Sequence, residues 1–583
     1  MHQRFHTTAI LAATFGTTIT SAQICDGVLA PGAGPVPPAD TSDPWAAPAS
    51  YYAGATGTGG TLKNQLASAM TSGHIQRAYG DFRFSAAAHD ADPSSGGQIL
   101  LVYNRASVPA TWNSGTTWNR EHVWPQSRQP GSASNSSRGN LGDPHALRPA
   151  NPGINGARGN RPFGFASTTG SFGSVSSSYF PGDADKGDIA RSLFYSATRW
   201  ASNGLSLTNG FPSGNQMGDL ASLVAWHYLD VPDAFERRRN HVIFSSALNP
   251  TYFTNNRSAF VDIPGAVWSV FVDNFNDSQL WVGSNPSANG GSSAEFCVRA
   301  IETVPPPAFE VMLNRGGNDG TYYAVEASGD AVSDQPFHNG FTGAFAINDT
   351  APRTLLVGID PLAVTGPGFY SGTVTITNLD RTTGVGNGFG SRDADDHVTV
   401  DLEAVAPSSA SFMPGSSVTT LDLDLGRVFV GNAAETTFPV YALDPGSGFT
   451  AGVQFALNEA FAAPQPAEVS IPAGVVQPGG SGLAAVQFTP SSAGELDLTL
   501  VIDTMDDPSV FGAAARDPLV VNLTIAVRDE DINGDGALNQ LDIRAFFEAV
   551  EANDPFADLD ANGLTDSFDI ARFLEQFAAA AAN

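Results

Sequence analysis

Cysteine and long apolar runs are both scarce in this sequence. Only Cys25 and Cys297 occur among the 583 residues, so the chain can form at most one disulfide. The two residues either pair or remain free thiols, and the sequence leaves both alternatives open. Beyond the N-terminus no apolar run approaches the ~18 residues that a membrane-spanning helix needs. We therefore expect no membrane span.

Basic residues are also scarce, with 28 Lys and Arg against 58 Asp and Glu and a net charge of −30. A negative charge of this size disfavours a nucleic-acid partner for the whole chain. The charge is unevenly distributed, however. Residues 24–300 carry 18 basic and 19 acidic residues, whereas residues 301–583 carry 9 and 39. Of the 18 basic residues 16 are Arg, whose planar guanidinium suits bidentate contact with phosphate. We expect the acidic half to serve solubility and cation binding.

The length and the N-terminus bound the domain organisation. A chain of 583 residues is too long for one core and predicts about four domains. The first residues have the order of a secretory signal: the basic Arg4, an apolar and small-residue run over 7–20, and a small-residue cleavage site ending at Ala22. We assign residues 1–22 to a signal peptide and expect a secreted, extracellular protein, with periplasmic or cell-surface locations as alternatives.

Two short stretches concentrate chemical groups, NREHVWPQS (119–127) and DPHALRPANPGINGARGN (143–160). The first places the carboxylate of Glu121 beside the imidazole of His122, and the second contains Asn155 and Arg158. A hard oxygen ligand, a base, a second oxygen ligand and a guanidinium are the groups that metal-assisted phosphodiester hydrolysis requires. A Glu-His dipeptide alone is more often an exposed surface pair, so the assignment depends on both stretches.

Both stretches resemble signatures of the bacterial endonuclease I family of secreted, non-specific nucleases, which run close to W-x-R-E-H-x-W-P-x-S and D-x-H-x-L-x-P-x-x-x-x-x-N-x-x-R-G-N. Segments 187–200 and 226–253 resemble the family as well, so the resemblance covers roughly residues 45–265. It implies an α+β nuclease domain with a ββα-metal site, in which a strand carries the histidine and a later helix carries an asparagine. We assign residues 23–301 to this domain.

The resemblance implies a role for each matching residue. His122 is expected to be the general base, Glu121 and Asn155 to hold one Mg²⁺ or another divalent ion, and Arg158 either to contact substrate or to pack against the site. The implied reaction is hydrolysis of phosphodiesters in DNA, and in RNA as well. No base-reading motif is evident, so we expect cleavage to tolerate any sequence.

Other charged residues lie in or near the second signature. Asp143 and His145 match the second signature and are expected to orient the residues in contact with the metal. A glutamate of the family has no counterpart just before Asp143, and Arg138 is a candidate phosphate-binding residue there. The basic run ERRRNH (236–241) is either a solvated helix face or a surface that contacts the phosphate backbone.

The C-terminal half has a different pattern. The segment ETVPPPAF (302–309) is a predicted Pro-rich linker. Short alternating runs punctuated by Gly, Asp, Asn and Pro then predict two all-β sandwich modules, residues 310–408 and 409–528. They resemble the Ig-like spacer modules of large extracellular bacterial proteins. This division predicts that a fragment ending near Ala300 retains nuclease activity.

Two acidic loops close the sequence, DINGDGALNQLD (531–542) and DLDANGLTDSFD (558–569). Both have the spacing of a calcium-binding loop, with glycine at the sixth position. They resemble a dockerin-type calcium module, a small all-α EF-hand pair that we assign to residues 529–579, and that resemblance implies a cohesin-like or cell-surface partner. The expected Ca²⁺ ligands are Asp531, Asn533, Asp535, Ala537, Asn539, Asp542, Asp558, Asp560, Asn562, Leu564, Asp566 and Asp569.

Two other functions fit parts of the sequence. The first is a non-catalytic extracellular adhesin or scaffold-attached protein with a relic nuclease domain, against which stands the presence of Glu121, His122 and Asn155. The second is a carbohydrate-active enzyme attached to a scaffold through its C-terminal module. We rank it last, because no persuasive pair of glycosidase carboxylates occurs in residues 23–300.

Overall fold

The structure is a computed structural model that describes residues 34–37, 39–164, 169–283, 290–382, 393–458, 467–559 and 562–582. The expected signal peptide and Cys25 lie outside these residues. Cys297 is disulfide-bonded. Among the described helices, none has the length and apolar character that a membrane crossing requires.

The N-terminal region combines helices with short two-stranded sheets. Its helices are α1 (Gly59–Thr71), α2 (Phe82–His89), α3 (Pro152–Arg158), α4 (Lys186–Arg199), α5 (Leu220–Leu229), α6 (Ala234–Phe244), α7 (Ala259–Asp262) and α8 (Ala266–Phe271). Its strands pair consecutively as β1 (Gln98–Leu100) with β2 (Ser107–Pro109), β3 (Asn119–His122) with β4 (Leu147–Ala150), β5 (Gly173–Val175) with β6 (Ser178–Phe180), and β7 (Ser206–Leu207) with β8 (Gln216–Met217).

Helix α4 lies at the centre of this region. All of its residues except Ser192 are buried, and α1, α5 and α7 pack around it. Helix α1 turns Leu62, Leu66 and Met70 into the same core, as their spacing of four residues on one helix face dictates. The region is thus a helical core flanked by small two-stranded sheets, and all residues of β4 and β6 are buried in it.

The C-terminal region contains two β-sandwiches, and each encloses its own apolar core between two sheets. The strands of the first are β9 (Gln279–Val282), β10 (Ser293–Ile301), β11 (Phe309–Gly316), β12 (Thr321–Gly329), β13 (Ala331–Ser333), β14 (Gly343–Phe345), β15 (Arg353–Ile359), β16 (Gly368–Asn378) and β17 (Asp396–Val405). Those of the second are β18 (Ala410–Ser411), β19 (Thr420–Phe429), β20 (Ala434–Ala442), β21 (Val453–Leu457), β22 (Ala467–Ser470), β23 (Val475–Val476), β24 (Ser481–Phe488), β25 (Gly494–Asp506) and β26 (Ala515–Arg528).

The order of the strands is β10-β17-β16-β12-β14 and β13-β15-β11-β9 in the first sandwich, and β18-β20-β24-β22 and β19-β26-β25-β21-β23 in the second. Alternate residues of β16 and β25 are buried, because successive side chains of a strand point to opposite faces. This period of two is the pattern by which the sequence predicts these modules.

The first sandwich begins earlier than the sequence predicts. Strand β10 pairs in parallel with β17 over its whole length, and β9 pairs with β11, so both belong to this sandwich. The expected boundary at residue 301 therefore falls inside a sheet. The segment 302–309 connects two strands of the same sandwich, and Pro306 and Pro307 in it are buried. It is not a flexible linker between domains.

The first sandwich also completes the core of the N-terminal region. Tyr322 and Phe341 of the sandwich belong to the apolar cluster that surrounds α4. The Tyr322 hydroxyl donates a hydrogen bond of 2.7 Å to the carbonyl of His227 at the end of α5. The two units therefore share buried surface, which is unlike the independent spacer that the sequence pattern suggests.

Two helices close the described chain, α9 (Gln540–Glu551) and α10 (Ser567–Ala581). Their Phe546 and Phe573 rings stack with centroids 4.0 Å apart. Phe429 at the end of β19 joins the same cluster, so this helix pair packs against the second sandwich.

Candidate nuclease site

The residues of the two sequence signatures meet where β3 and β4 pair beside α3. Glu121 lies opposite Arg148 and His122 opposite Leu147 in the antiparallel register. Helix α3 begins after Asn151, whose side chain accepts hydrogen bonds from Gly153 and Ile154 as an N-cap. Since residues three apart share a helix face, α3 turns both Asn155 and Arg158 toward β3.

These elements border a polar cavity of about 540 Å³. Its walls come from β3, the loop that follows β3, the end of α3 and Tyr79. The lining residues are Tyr79, Arg120, Glu121, His122, Pro125, Gln126, Ser127, Gln129, Gly131, Ser132, Asn155, Arg158, Gly159 and Asn160. The four site residues expected from the sequence, Glu121, His122, Asn155 and Arg158, thus line one cavity.

His122 is held in one tautomer. Its Nε2 lies 3.0 Å from the carbonyl oxygen of Leu141, which can only accept, so Nε2 carries the proton and Nδ1 the lone pair. No described residue forms a hydrogen bond with Nδ1. The Tyr79 ring stacks on the imidazole with centroids 4.7 Å apart. Burial lowers the pKa of His122 to about 4, so the ring is neutral and able to accept a proton at neutral pH.

Glu121 has one oxygen engaged and one free. Its Oε1 accepts a hydrogen bond of 2.6 Å from the Tyr103 hydroxyl and lies 2.9 Å from Nη1 of Arg158. Within the described part of the chain nothing donates to Oε2. Burial raises the pKa of Glu121, although Arg158 and Tyr103 act in the opposite direction.

The amide of Asn155 is oriented by its neighbours. Its Nδ2 donates to Oδ1 of Asn119 at 2.8 Å and to the carbonyl of Arg120 at 3.4 Å. These two acceptors fix which end of the amide is nitrogen. Its Oδ1 therefore remains as an acceptor at the cavity that Asn155 lines.

Arg158 lies behind the site and is only 1% exposed. Its Nη1 donates to the carbonyl of His122 at 3.0 Å, and its Nη2 donates to that of Val123 at 2.7 Å. The guanidinium also lies over the Phe163 ring, 4.4 Å from its centroid. Of the two roles considered for Arg158, this placement favours packing that holds the end of β3 and the carboxylate of Glu121.

Asp143 and His145 lie outside the cavity lining. One Asp143 oxygen caps the turn at the His145 amide, and the other accepts from Tyr195 and Trp200 at 2.7 and 2.9 Å. These bonds stabilise the turns that follow Leu141, whose carbonyl in turn orients His122. The support that they give to the site is therefore indirect.

The basic run 236–241 is mainly interior. Arg237 and Arg239 are buried, and Arg239 donates to Asp90 at 2.8 Å and to the carbonyls of Pro144 and Leu147. For these two residues both sequence interpretations, a solvated face and a phosphate-contacting surface, are wrong. Buried Asp90 needs a cationic partner, which Arg239 supplies, and Arg237 instead donates to the carbonyl of Pro232 at 2.9 Å. Arg138 is exposed, donates to the carbonyl of Gln76 and does not line the cavity.

Tyr103 and Tyr79 are parts of the site that no sequence pattern indicates. Tyr103 ends an apolar run that is typical of a buried strand, yet its backbone has φ = 76°, a left-handed conformation unusual for a residue other than glycine. Its amide donates to Asp185 at 2.7 Å, which fixes this conformation and aims the phenol at Glu121. Both contacts link residues distant in sequence, so no local pattern could reveal them.

The oxygen atoms at the site fit a hard divalent cation. Glu121 Oε2 and Asn155 Oδ1 are acceptors at the same cavity, and Mg²⁺ is commonly held by one or two protein oxygens with water in the remaining positions. Among the described residues no three His, Cys, Asp or Glu side chains form a cluster that could hold a metal. The described residues therefore fit a cation that takes most of its ligands from water.

The two C-terminal loops have matching hydrogen bonds. Asp531 accepts from the amides of Asp535 and Gly536, and Asp558 likewise accepts from Asn562 and Gly563. Both glycines are left-handed, with φ of 79° and 83°. Asp542 and Asp569, at the twelfth position of each loop, are fully buried and accept two backbone amides each. Asp560 lies outside the described residues.

Comparison with known proteins gives consistent results for the N-terminal region. The family model for Endonuclease I matches residues 58–264. An extracellular ribonuclease of Bacillus amyloliquefaciens is 32% identical over 235 residues, which cover 37% of this chain and 75% of that protein. An extracellular ribonuclease of Bacillus subtilis (strain 168) is 33% identical over 236 residues, with 38% and 78% covered.

Solved structures add nothing to this. A protein of unknown function from Porphyromonas gingivalis W83 is 10% identical, and the match covers 42% of this chain and 99% of that one, but its TM-score of 0.17 is too low to support a shared fold. The family model, in contrast, spans all the residues that line the cavity. This chain belongs to the endonuclease I family, and residues 58–264 form its nuclease domain.

Proposed function

We propose that this protein is a secreted, divalent-metal-dependent endonuclease that hydrolyses phosphodiesters in RNA and DNA without sequence preference, with His122 as general base. One observation carries the proposal: Nδ1 of His122, Oε2 of Glu121 and Oδ1 of Asn155 are acceptors without hydrogen bonds from described residues, and all three residues line one cavity. Because the three residues line the same cavity, a cation held by the two oxygens and a water held by the imidazole nitrogen can be placed next to each other there.

Each residue of the site has a separate role in hydrolysis. His122 accepts a proton from the attacking water at Nδ1, and the Leu141 carbonyl orients the ring through Nε2 and stabilises the charge that the ring gains. Glu121 Oε2 and Asn155 Oδ1 would hold the cation. When bound, that cation supplies positive charge to the phosphate and to the leaving oxygen. Arg158 fixes the backbone of β3 so that these groups keep their spacing.

The relatives support RNA as a substrate, since both are named extracellular ribonucleases. Their names also support secretion. The relic-adhesin alternative is less well supported, because a domain that had lost its activity would have no reason to keep all three acceptors at one cavity.

The test is cleavage of supercoiled plasmid and of single-stranded RNA by the full chain with Mg²⁺, with chelator, and with Mg²⁺ restored. We expect activity that chelator abolishes and Mg²⁺ restores. Glu121→Ala and Asn155→Ala should each raise the Mg²⁺ concentration needed for half activity, because each removes an oxygen ligand from a site with few. Cleavage that ignores chelator, or variants with unchanged Mg²⁺ titrations, would overturn the proposal.

We further propose that the C-terminal loops bind Ca²⁺ and that α9 and α10 form a dockerin-like module for a cohesin-like or cell-surface partner. The repeated loop pattern and the matching hydrogen bonds support this. Calorimetric titration of the full chain should detect Ca²⁺ binding that Asp531→Ala with Asp558→Ala removes, while nuclease activity is unchanged. Absence of heat on Ca²⁺ addition would contradict the proposal.

A further inference from the structure

Arginine and aromatic side chains alternate on the surface that adjoins the nuclease cavity. The guanidinium of Arg120, which lines the cavity, lies over the Tyr79 ring at 3.7 Å from its centroid. On α2, which begins three residues after Tyr79, the guanidinium of Arg83 lies 5.2 Å from the centroid of Phe84. Phe84 is 54% exposed and stacks on Tyr252 at 6.2 Å. We call Tyr79, Arg83, Phe84, Arg120 and Tyr252 the arginine–aromatic strip.

The two arginines of the strip lie close together. Arg120 donates to Oδ1 of Asn135, and the Arg83 side chain lies near Gly80, whose amide donates to the carbonyl of the same Asn135. Burial lowers the pKa of Arg120, and the nearby charge of Arg83 lowers it further. Two like charges are therefore held near each other, one of them on Arg120 at the cavity, and this favours an anion as their partner.

Backbone carbonyls, not carboxylates, are the protein partners of these arginines. Arg120 donates to the carbonyl of Tyr79, and Arg83 donates to that of Gly80. A carbonyl orients a guanidinium without neutralising it. Arg148 and Arg191, in contrast, have their charge balanced by Asp188 and Glu236 in the interior. The strip thus offers cationic charge that no described ion pair uses.

We propose that the arginine–aromatic strip binds the unpaired nucleotides next to the scissile phosphate, so that the preferred substrate is single-stranded. An exposed ring such as Phe84 offers a surface on which a base can stack, and Arg83 and Arg120 can contact the adjoining phosphates. Bases of a duplex already stack on each other and cannot reach such a ring. This inference rests on the proposed nuclease function and adds a substrate class to it.

Binding is measured in chelator, where no cleavage occurs, by fluorescence anisotropy of labelled 20-mers: single-stranded RNA, single-stranded DNA and duplex DNA of one sequence. We expect Phe84→Ala to weaken binding of single strands about tenfold and to leave duplex binding nearly unchanged. Arg83→Ala should lower the salt dependence of single-strand binding by about 0.7 in the slope of log K against log salt. Weaker binding of both single strands would show that the strip contacts bases and phosphates. Weaker binding of RNA alone would show that it also contacts the 2′-hydroxyl.

The controls are Phe369→Ala, which removes a ring of similar exposure from β16, and Arg544→Ala, which removes a distant exposed charge. The circular dichroism melt of Phe84→Ala should match that of the wild type, because Phe84 is 54% exposed, so a loss of binding cannot be assigned to unfolding. Equal losses on duplex and single strands, equal losses in the controls, or unchanged binding by Phe84→Ala would overturn the inference. A wild type that binds single strands but cleaves nothing would instead contradict the proposed function.

Discussion

The N-terminal and C-terminal halves use charge in opposite ways. In the nuclease region Arg148, Arg158, Arg191, Arg239 and Arg257 each have side chains at most 6% exposed and form ion pairs with buried carboxylates. In the C-terminal half the pairs formed by Arg353, Arg528 and Arg544 lie at the surface. Many arginines of the near-neutral nuclease region are therefore buried in ion pairs and cannot contact phosphate. Charge counts alone do not locate a phosphate-binding surface.

The comparison is tested most severely by cutting the chain at its expected boundary. A fragment of residues 23–300 loses Tyr322 and Phe341 from the nuclease core and leaves β9 and β10 without partners. We now expect it to be unfolded and inactive, contrary to the prediction from sequence. A fragment of residues 23–408 keeps these contacts and should be active. Circular dichroism melts with a cleavage assay decide, and an active, cooperatively folded 23–300 fragment would contradict the shared core.

Removing a buried arginine should cost far more than removing an exposed one. Arg239→Ala removes one of the two arginines that pair with buried Asp90 and a donor to the carbonyls of Pro144 and Leu147, and loss of one partner of a buried ion pair costs about 3–5 kcal/mol. Arg544→Ala should change the free energy of unfolding by less than about 1 kcal/mol, because its pair with Glu548 is solvated.

Urea unfolding followed by tryptophan fluorescence measures the first effect, since all eight tryptophans precede residue 282. Arg544→Ala lies beyond these probes, so its effect is read from the thermal transition of the C-terminal half by calorimetry. Equal effects of the two substitutions would show that burial of the ion pair does not matter.

The pH dependence of cleavage should reflect the buried state of His122. Burial lowers the pKa of this group to about 4, so the ring stays unprotonated, and able to act as a base, well below the ordinary value of 6.5. Activity is thus expected to persist from pH 8 to about pH 6 and to fall at least about twofold by pH 4, as His122 and the carboxyl of Glu121, whose pKa burial raises, take up protons. An acid limb centred near 6.5 would indicate an exposed imidazole instead.

Tyr103→Phe should have the smallest of these effects. It removes the hydrogen bond to Oε1 of Glu121 but leaves Arg158 in place, so we expect a several-fold rise in the Mg²⁺ needed for half activity with little change in stability. Tyr179→Phe is the matched control, because Tyr179 packs on Tyr103 at 5.2 Å but forms no described hydrogen bond with Glu121. Identical Mg²⁺ titrations in the two variants would show that the hydrogen bond from Tyr103 does not affect cation binding by Glu121.

The sequence was informative where function requires fixed residues in fixed order. The two signatures identify the family, and they name Glu121, His122, Asn155 and Arg158, which the fold brings to one cavity. Alternation of apolar residues identifies the β-sandwiches, because a half-buried strand must alternate. These patterns are local, so a single sequence is enough to detect them.

The sequence was uninformative where the cause lies in distant contacts. Burial of Arg239 depends on Asp90, which is 149 positions away, and the orientation of Glu121 depends on Tyr103 and Asp185. The sequence pattern does not reveal the start of the first sandwich, because β10 is recognisable only by its pairing with β17. Such features depend on contacts between residues distant in sequence, so they cannot be predicted from composition or periodicity.

The central claim is that Nδ1 of His122 is the base of a nuclease site, and His122→Ala tests it most directly. Its cleavage of plasmid and RNA with Mg²⁺ should fall at least about 10²-fold below the wild type, because loss of a general base typically costs 10²–10⁴. The variant should keep the wild-type circular dichroism spectrum, since the side chain makes one hydrogen bond, to Leu141. Near-wild-type cleavage by a folded His122→Ala protein would contradict the account.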